Sequence, residues 1–227
     1  MKTVAIHQPQ YLPYTGFFHK IAHADIFVHL DNVQFQKNGL QNRNKIRTQQ
    51  GWQWLTVPVA HHFGQLILDV QLDAGGTWPL KHWNALATNY SRAPFFKQYA
   101  GSLKDLLLEN KFDRLCALNI TAAAWVMEQL GIKTPMVLAS TLDVSGTQSE
   151  LLISICRALG ADTYLSGPGG KLYMDLSAFE NAGIKVIWQD FIPPAYEQVF
   201  RDTEFVPNLS IVDVLFNCGP RTTEFLR

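Results

Sequence analysis

Residues 5–20 read AIHQPQYLPYTGFFHK. A short apolar run over 3–6 feeds a polar loop holding Pro9 and Pro13, and an aromatic helix pattern starts at Thr15 or Gly16 and runs to about 24. A strand that delivers His7, Gln8 and Gln10 to a helix N-terminus builds either a small-molecule site, since free backbone N–H groups there attract anions, or a plain turn. The same alternation recurs along the chain, with strand patterns over 25–30, 54–59, 136–139, 163–166 and 185–189. Helical patterns fall over 79–90, 94–109, 114–130, 147–159 and 177–181, with Gly131 as a stop and Thr147-Gln-Ser-Glu150 as a capping box. Such alternation predicts an α/β fold, a Rossmann-like, mostly parallel sheet flanked by helices.

With 227 residues the chain reads as a single domain, 1–227, with a helical insertion at about 79–131 and a C-terminal segment 190–227 packed on the sheet. That last segment ends in an amphipathic helix capped by Asn208 or Ser210. Residues 32–51 carry five glutamines and four asparagines with little apolar content, which predicts a loop or an excursion over the sheet edge. Nineteen basic residues balance nineteen acidic ones, so no global field draws the chain to nucleic acid or to acidic membranes. No apolar run approaches the roughly 20 residues of a membrane span, and the start lacks a secretory pattern. Cys116, Cys156 and Cys218 are odd in number and widely spaced, as expected of small buried hydrophobes in a reducing cytoplasm.

Strand ends supply the candidate chemistry. His7 ends the first strand, where it can act as a general base, bind phosphate or simply shape the turn. Asp31 ends the second, able to accept a proton, hold a hydroxyl or cap the turn to Asn32. Gln8, Gln10 and Tyr11 follow the first strand, and the amides of Gln8 and Gln10 suit a neutral sugar or a base edge. His19 and His23 are spaced to share a helical face, but no HExxH or CxxC pattern accompanies them, so no metal is expected; His19-Lys20 faces an anion instead. In QNRNKI, Gln41 and Asn42 stand beside Arg43 and Lys45, and Arg43 offers a planar fork for phosphate or carboxylate. SGPGGKLY places Ser166, Gly167, Gly169, Gly170, Lys171 and Tyr173 after another strand, either as a glycine-built anion nest or as a tight turn. Tyr196 and Gln198 are candidates for a sugar pocket, while Ser210, Asp213 and Asn217 form a polar stripe that locks the last helix to the sheet.

Taken together, IHQPQYLPYTGFFHKIAHADIFVHLDNVQFQKNGLQNRNKI, YLSGPGGKLYM and PAYEQVF…LSIVDVLFNCGP resemble the WbqC-like family of bacterial proteins. That resemblance implies a role in surface polysaccharide biosynthesis such as that of O-antigen, with transfer of an aminoacyl or acyl group onto an activated amino sugar. The implied ligand is a nucleotide or nucleotide-activated sugar, with no other cofactor; the partners are small molecules and a possible second copy of the chain. The opening strand, proline loop and helix start also resemble the nucleotidylyltransferases and pantothenate synthetases. Their His-x-Gly-His signature is replaced here by Tyr14-Thr15-Gly16-Phe17. In that group the imidazoles stabilise charge growing on the α-phosphate, so their loss argues against ordinary nucleotidyl transfer. A nucleotide-dependent ligase and a non-catalytic sugar-nucleotide-binding protein are the alternatives.

Overall fold

The computed structural model describes residues 1–73 and 76–227. In chain order its elements are β1 (Thr3–His7), α1 (Thr15–Ala22), β2 (Ile26–His29), β3 (Arg43–Thr48), β4 (Gly51–Thr56), β5 (Val59–Ala60), β6 (Gln71–Leu72) and α2 (Trp78–Tyr90). There follow α3 (Phe96–Leu108), α4 (Leu115–Leu130), β7 (Met136–Leu138), α5 (Gln148–Ala158), β8 (Thr163–Ser166), α6 (Leu176–Asn181), β9 (Lys185–Trp188) and α7 (Ile211–Cys218).

Five strands form a parallel sheet in the order β7-β2-β1-β8-β9, an α/β Rossmann-like arrangement. The strands alternate sides. Ala5, Phe27 and Leu165 pack with Phe17, Phe18 and Ile21 of α1 on one face. Val4, Ile6, Val28 and Tyr164 pack with Leu151, Leu152 and Ile155 of α5 on the other. From β1 the chain builds outward through β2 to β7, then returns across the sheet through α5 to β8 on the far side of β1. The strand order therefore reverses between β1 and β8, and an open α/β sheet leaves a crevice at such a point, outside the carboxyl ends of the strands.

Residues 32–42 run as the loop expected of them, whereas 43–51 differ from it. Arg43–Thr48 pairs antiparallel with Gly51–Thr56 in a separate hairpin, and Gln41, Asn42 and Asn44 are buried while Gln34, Gln36, Asn38, Gln49 and Gln50 are exposed. Asn44 Nδ2 donates to the Leu12 carbonyl at 2.7 Å, Asn42 Nδ2 to the Val57 carbonyl at 3.0 Å, and Asn119 Nδ2 to the Gln41 carbonyl at 2.8 Å. Composition pointed outward because polar side chains usually seek water, but Asn42 and Asn44 instead satisfy the carbonyls of irregular buried backbone. The capping box is also absent: Thr147 makes no side-chain cap, and Gln148 opens α5 with φ of 49°. Gly131 does end α4 in the left-handed conformation at φ 66°.

The C-terminal stripe is structural. Ser210 caps α7 and donates to the Leu12 carbonyl at 2.7 Å. Asp213 is fully buried, and it accepts from Tyr90 at 2.7 Å, from Gln198 at 3.1 Å and from Tyr196. Burial raises its pKa while the three donors pull it back down. Tyr90 in turn accepts from the Arg47 amide at 2.8 Å, and the buried Arg47 guanidinium reaches the carbonyls of Gly51 at 3.0 Å and Glu204 at 2.7 Å and the hydroxyl of Thr203. Hairpin, α2 and α7 thus share one polar network inside an apolar core. No described helix is long and apolar enough to cross a membrane. Tyr90→Phe should leave an orphaned amide and an orphaned carboxylate oxygen, lowering unfolding free energy by about 1–3 kcal/mol in urea titrations.

Candidate functional site

A cavity of about 680 Å³ opens at the strand reversal. That volume suits a small organic ligand. His7 and Gln8 reach it from β1, Ser166 and Gly167 from β8, Lys20 and Gly16 from α1, and Gln189 from the end of β9. The parallel strands end together, so residues remote in sequence stand side by side.

Lys20 dominates the electrostatics. Its side chain is buried at 4 % exposure, and among the described residues no acid forms an ion pair with it and no group accepts a hydrogen bond from it. Its Nζ lies against the backbone of Gly167, 3.0 Å from where a Cβ there would sit. Burial pushes its pKa down to about 8, so near neutral pH the crevice still holds a poorly solvated cation. An unpaired buried charge is costly, and the cost falls when an anion enters.

His7 is half-buried beside it. Nδ1 lies 3.0 Å from the Gln8 carbonyl, which can only accept, so Nδ1 carries the proton and Nε2 keeps its lone pair. Phe17 holds the ring edge-on at 5.1 Å. Burial and then the Lys20 charge hold the imidazole pKa down at about 3, which makes it a neutral proton acceptor at physiological pH. An anion bound at Lys20 would cancel the second cause and strengthen the base. Gln189 fixes the neighbouring wall: its Nε2 donates to the Gly16 carbonyl at 2.7 Å and to His19 Nδ1 at 3.1 Å. His19 is consumed there, stacked on His23 at 4.1 Å, with its pKa lowered to about 4 by burial and by His23. The Tyr14 ring covers Gly16, and a Cβ there would meet the ring carbons at 2.5 and 2.7 Å.

The model of the WbqC-like protein family matches residues 8–225. The chain belongs to the WbqC-like family. It is also 36 % identical over 230 residues to an uncharacterized protein of Mycobacterium tuberculosis (strain ATCC 25618 / H37Rv), an alignment covering 100 % of this chain and 98 % of the relative. No solved structure matches it.

In this WbqC-like chain the other candidate residues divide by location. Gln41 does not line the crevice but supports it, since its Nε2 donates to Gln8 Oε1 at 2.9 Å. Asp31 lies outside: both its oxygens are taken by Ser140, the amide at 2.9 Å and the hydroxyl at 2.6 Å, which ties the end of β2 to the turn after β7. Gln10 is half-buried with Oε1 unpartnered, and Tyr11 bonds His82 at 2.9 Å. Asn42 serves the Val57 carbonyl, and Arg43 and Lys45 stack on tryptophans of the hairpin, Arg43 4.2 Å from Trp54 and Lys45 4.7 Å from Trp52. None of these five lines the crevice. Tyr196 and Gln198 belong to the Asp213 network.

The glycine-rich turn lines the crevice with a different geometry from a nest. Pro168–Leu172 is a 3₁₀ turn, the Gly170 amide is bonded to the Gly167 carbonyl at 3.0 Å, and none of the three glycines has positive φ. Lys171 lies exposed over Trp188 at 5.4 Å and Tyr173 stands at the rim. The turn's glycines serve close packing: a Cβ on Gly170 would strike Ser166 Oγ and approach Met174 Sδ at 2.8 Å and Trp188 at 3.1 Å. Sequence reasoning passed over Tyr14, Gln189 and the α5 wall of Leu151 and Leu152. Only Gln189, at a strand end, carried a readable signal. Gly170→Ala should lower stability by about 1–3 kcal/mol through overpacking, whereas Gly169→Ala, with open space at its Cβ, should change the melting temperature little; thermal denaturation of both variants checks this.

Proposed function

We propose that this chain is a transferase that moves an acyl or aminoacyl group onto the amine of an amino sugar, with the donor or the activated sugar held in the crevice through a phosphate group. Lys20 carries the reading: a buried ammonium with no ion-pair partner among the described residues, lining a cavity at the strand reversal. His7 supplies the proton acceptor on the same edge. The amine nitrogen attacks the acyl carbon and forms the new C–N bond. Its proton passes to His7 Nε2, and the bond from the acyl carbon to the leaving oxygen breaks. The departing group takes that electron pair and is held as an anion by Lys20. Asp31 has no part in this scheme because Ser140 occupies its carboxylate. Three free cysteines fit a reducing cytoplasm, and a sugar nucleotide would be met there.

Lys20→Met tests the reading in two directions. Calorimetric affinity for pyrophosphate or a sugar nucleotide should fall at least tenfold, while the ligand-free variant should melt higher than the parent because an uncompensated buried charge is gone. Unchanged affinity would remove the anion site.

Proton linkage gives a second test. The folded pKa of Lys20, about 8, lies below its ordinary 10.5. Between those values the unfolded chain holds a proton that the folded chain has lost, so Lys20 makes stability rise with pH across that window. Anion binding should do the opposite, weakening as pH passes 8 and the ammonium is lost. Titrations from pH 6 to 10 should show both trends in the parent and neither in Lys20→Met.

A further inference from the structure

The carboxyl edge of the sheet divides the crevice into two chemically unlike halves. On the α1 face stand Lys20, Gly16 and Gln189, with His7 at the edge itself. On the α5 face the wall is Ile6, Leu30, Val33, Leu151 and Leu152, all apolar. Ile6, Leu151 and Leu152 belong to the core cluster of that face, and Leu30 and Val33 pack half-buried against it. The amides of Gln36 and Gln148 and, at the β8 end, the hydroxyls of Tyr164 and Ser166 interrupt this half, and no charged side chain lines it. Gln148 sits there in the left-handed region, at φ 49°. A non-glycine residue held so is strained, and such strain collects around ligand sites.

A sugar ring needs a hydrogen-bonding partner for each hydroxyl it buries, and a leucine–valine wall offers none. We infer that the α5 half receives an apolar acyl group, so that the donor bears its phosphate toward Lys20, its carbonyl at His7 and a hydrocarbon tail against Leu30, Val33 and Leu152. The acceptor amine then approaches from the open α1 side. This assignment rests on the transferase reading above and adds the class of group transferred. It follows from alternation along β1: Ile6 and His7 point to opposite faces, so the reacting carbon lies between an apolar and a cationic compartment.

Hydrolysis-resistant alkylphosphonates test it. Methyl-, n-butyl- and n-hexylphosphonate and glycerol 3-phosphate are titrated calorimetrically into the full chain and into Lys20→Met, Leu30→Asn and Val33→Thr. Affinity should rise about two- to fourfold per added methylene, the range expected for burial of a CH₂ group, with glycerol 3-phosphate no tighter than methylphosphonate. Leu30→Asn should flatten that gradient and leave methylphosphonate unchanged; Val33→Thr, nearly isosteric, should do so more weakly and keeps the test alive if Leu30→Asn folds poorly. Lys20→Met should weaken every member alike. A flat series in the parent, or glycerol 3-phosphate binding more tightly than n-butylphosphonate, overturns the apolar assignment and leaves the anion site standing. Failure of all the phosphonates to bind, or indifference to Lys20→Met, overturns the anion site and this assignment with it.

Discussion

Strand β1 is hydrogen-bonded on both sides, to β2 over Val4–His7 and to β8 over Thr3–Ala5. Everything at the crevice follows from that placement. A strand enclosed by parallel neighbours is buried on both faces, which Val4, Ala5 and Ile6 satisfy with apolar side chains of graded size. The sheet grows in one direction to β7 and then in the other through β8 to β9, so the loops leaving β1 and β8 part to opposite faces. The gap between them is where His7, Lys20 and Gly167 meet.

Lys20 sets the energetic terms of that gap. Most buried charges in a folded chain are paired, and Asp213 shows the usual solution, one carboxylate shared by three donors. Lys20 departs from it. The two sites lie in one molecule and use buried charge in contrasting ways: the Asp213 network fastens hairpin and helices together, whereas the ammonium has no ion-pair partner among the described residues. The low pKa of His7 follows first from burial and then from the same charge, so the two groups are electrostatically coupled rather than independent.

Legibility differed between strand ends and everything around them. The alternation of short apolar runs with helical patterns located β1, β2, β7, β8 and β9, the rule that ligands gather at carboxyl ends singled out His7, Asp31 and the segment from Ser166 to Gly170, and the first helix supplied Lys20, read beside His19 as facing an anion. Arg43 and Lys45 looked equally suited to an anion, since local sequence shows charge but not the tryptophans that cover it. Asp31 has the strand-end position of His7 and a different fate, because Ser140, more than a hundred residues later, fills its carboxylate. The glutamine- and asparagine-rich stretch misled at Asn44 and Asn42 for the same reason: their partners are the carbonyls of Leu12 and Val57, contacts at long range.

The amino-acid order by itself determined the α/β class, the strand ends on which chemistry can sit, the helix stop at Gly131 and membership of the WbqC-like family, since each depends on periodicity, punctuation or residue identity along the chain. Tertiary structure alone decided which polar groups meet a ligand and which are spent on the protein. Burial and pairing are properties of neighbours in space, and the desolvation that leaves Lys20 an unanswered cation exists only once α1, β8 and β9 have closed around it.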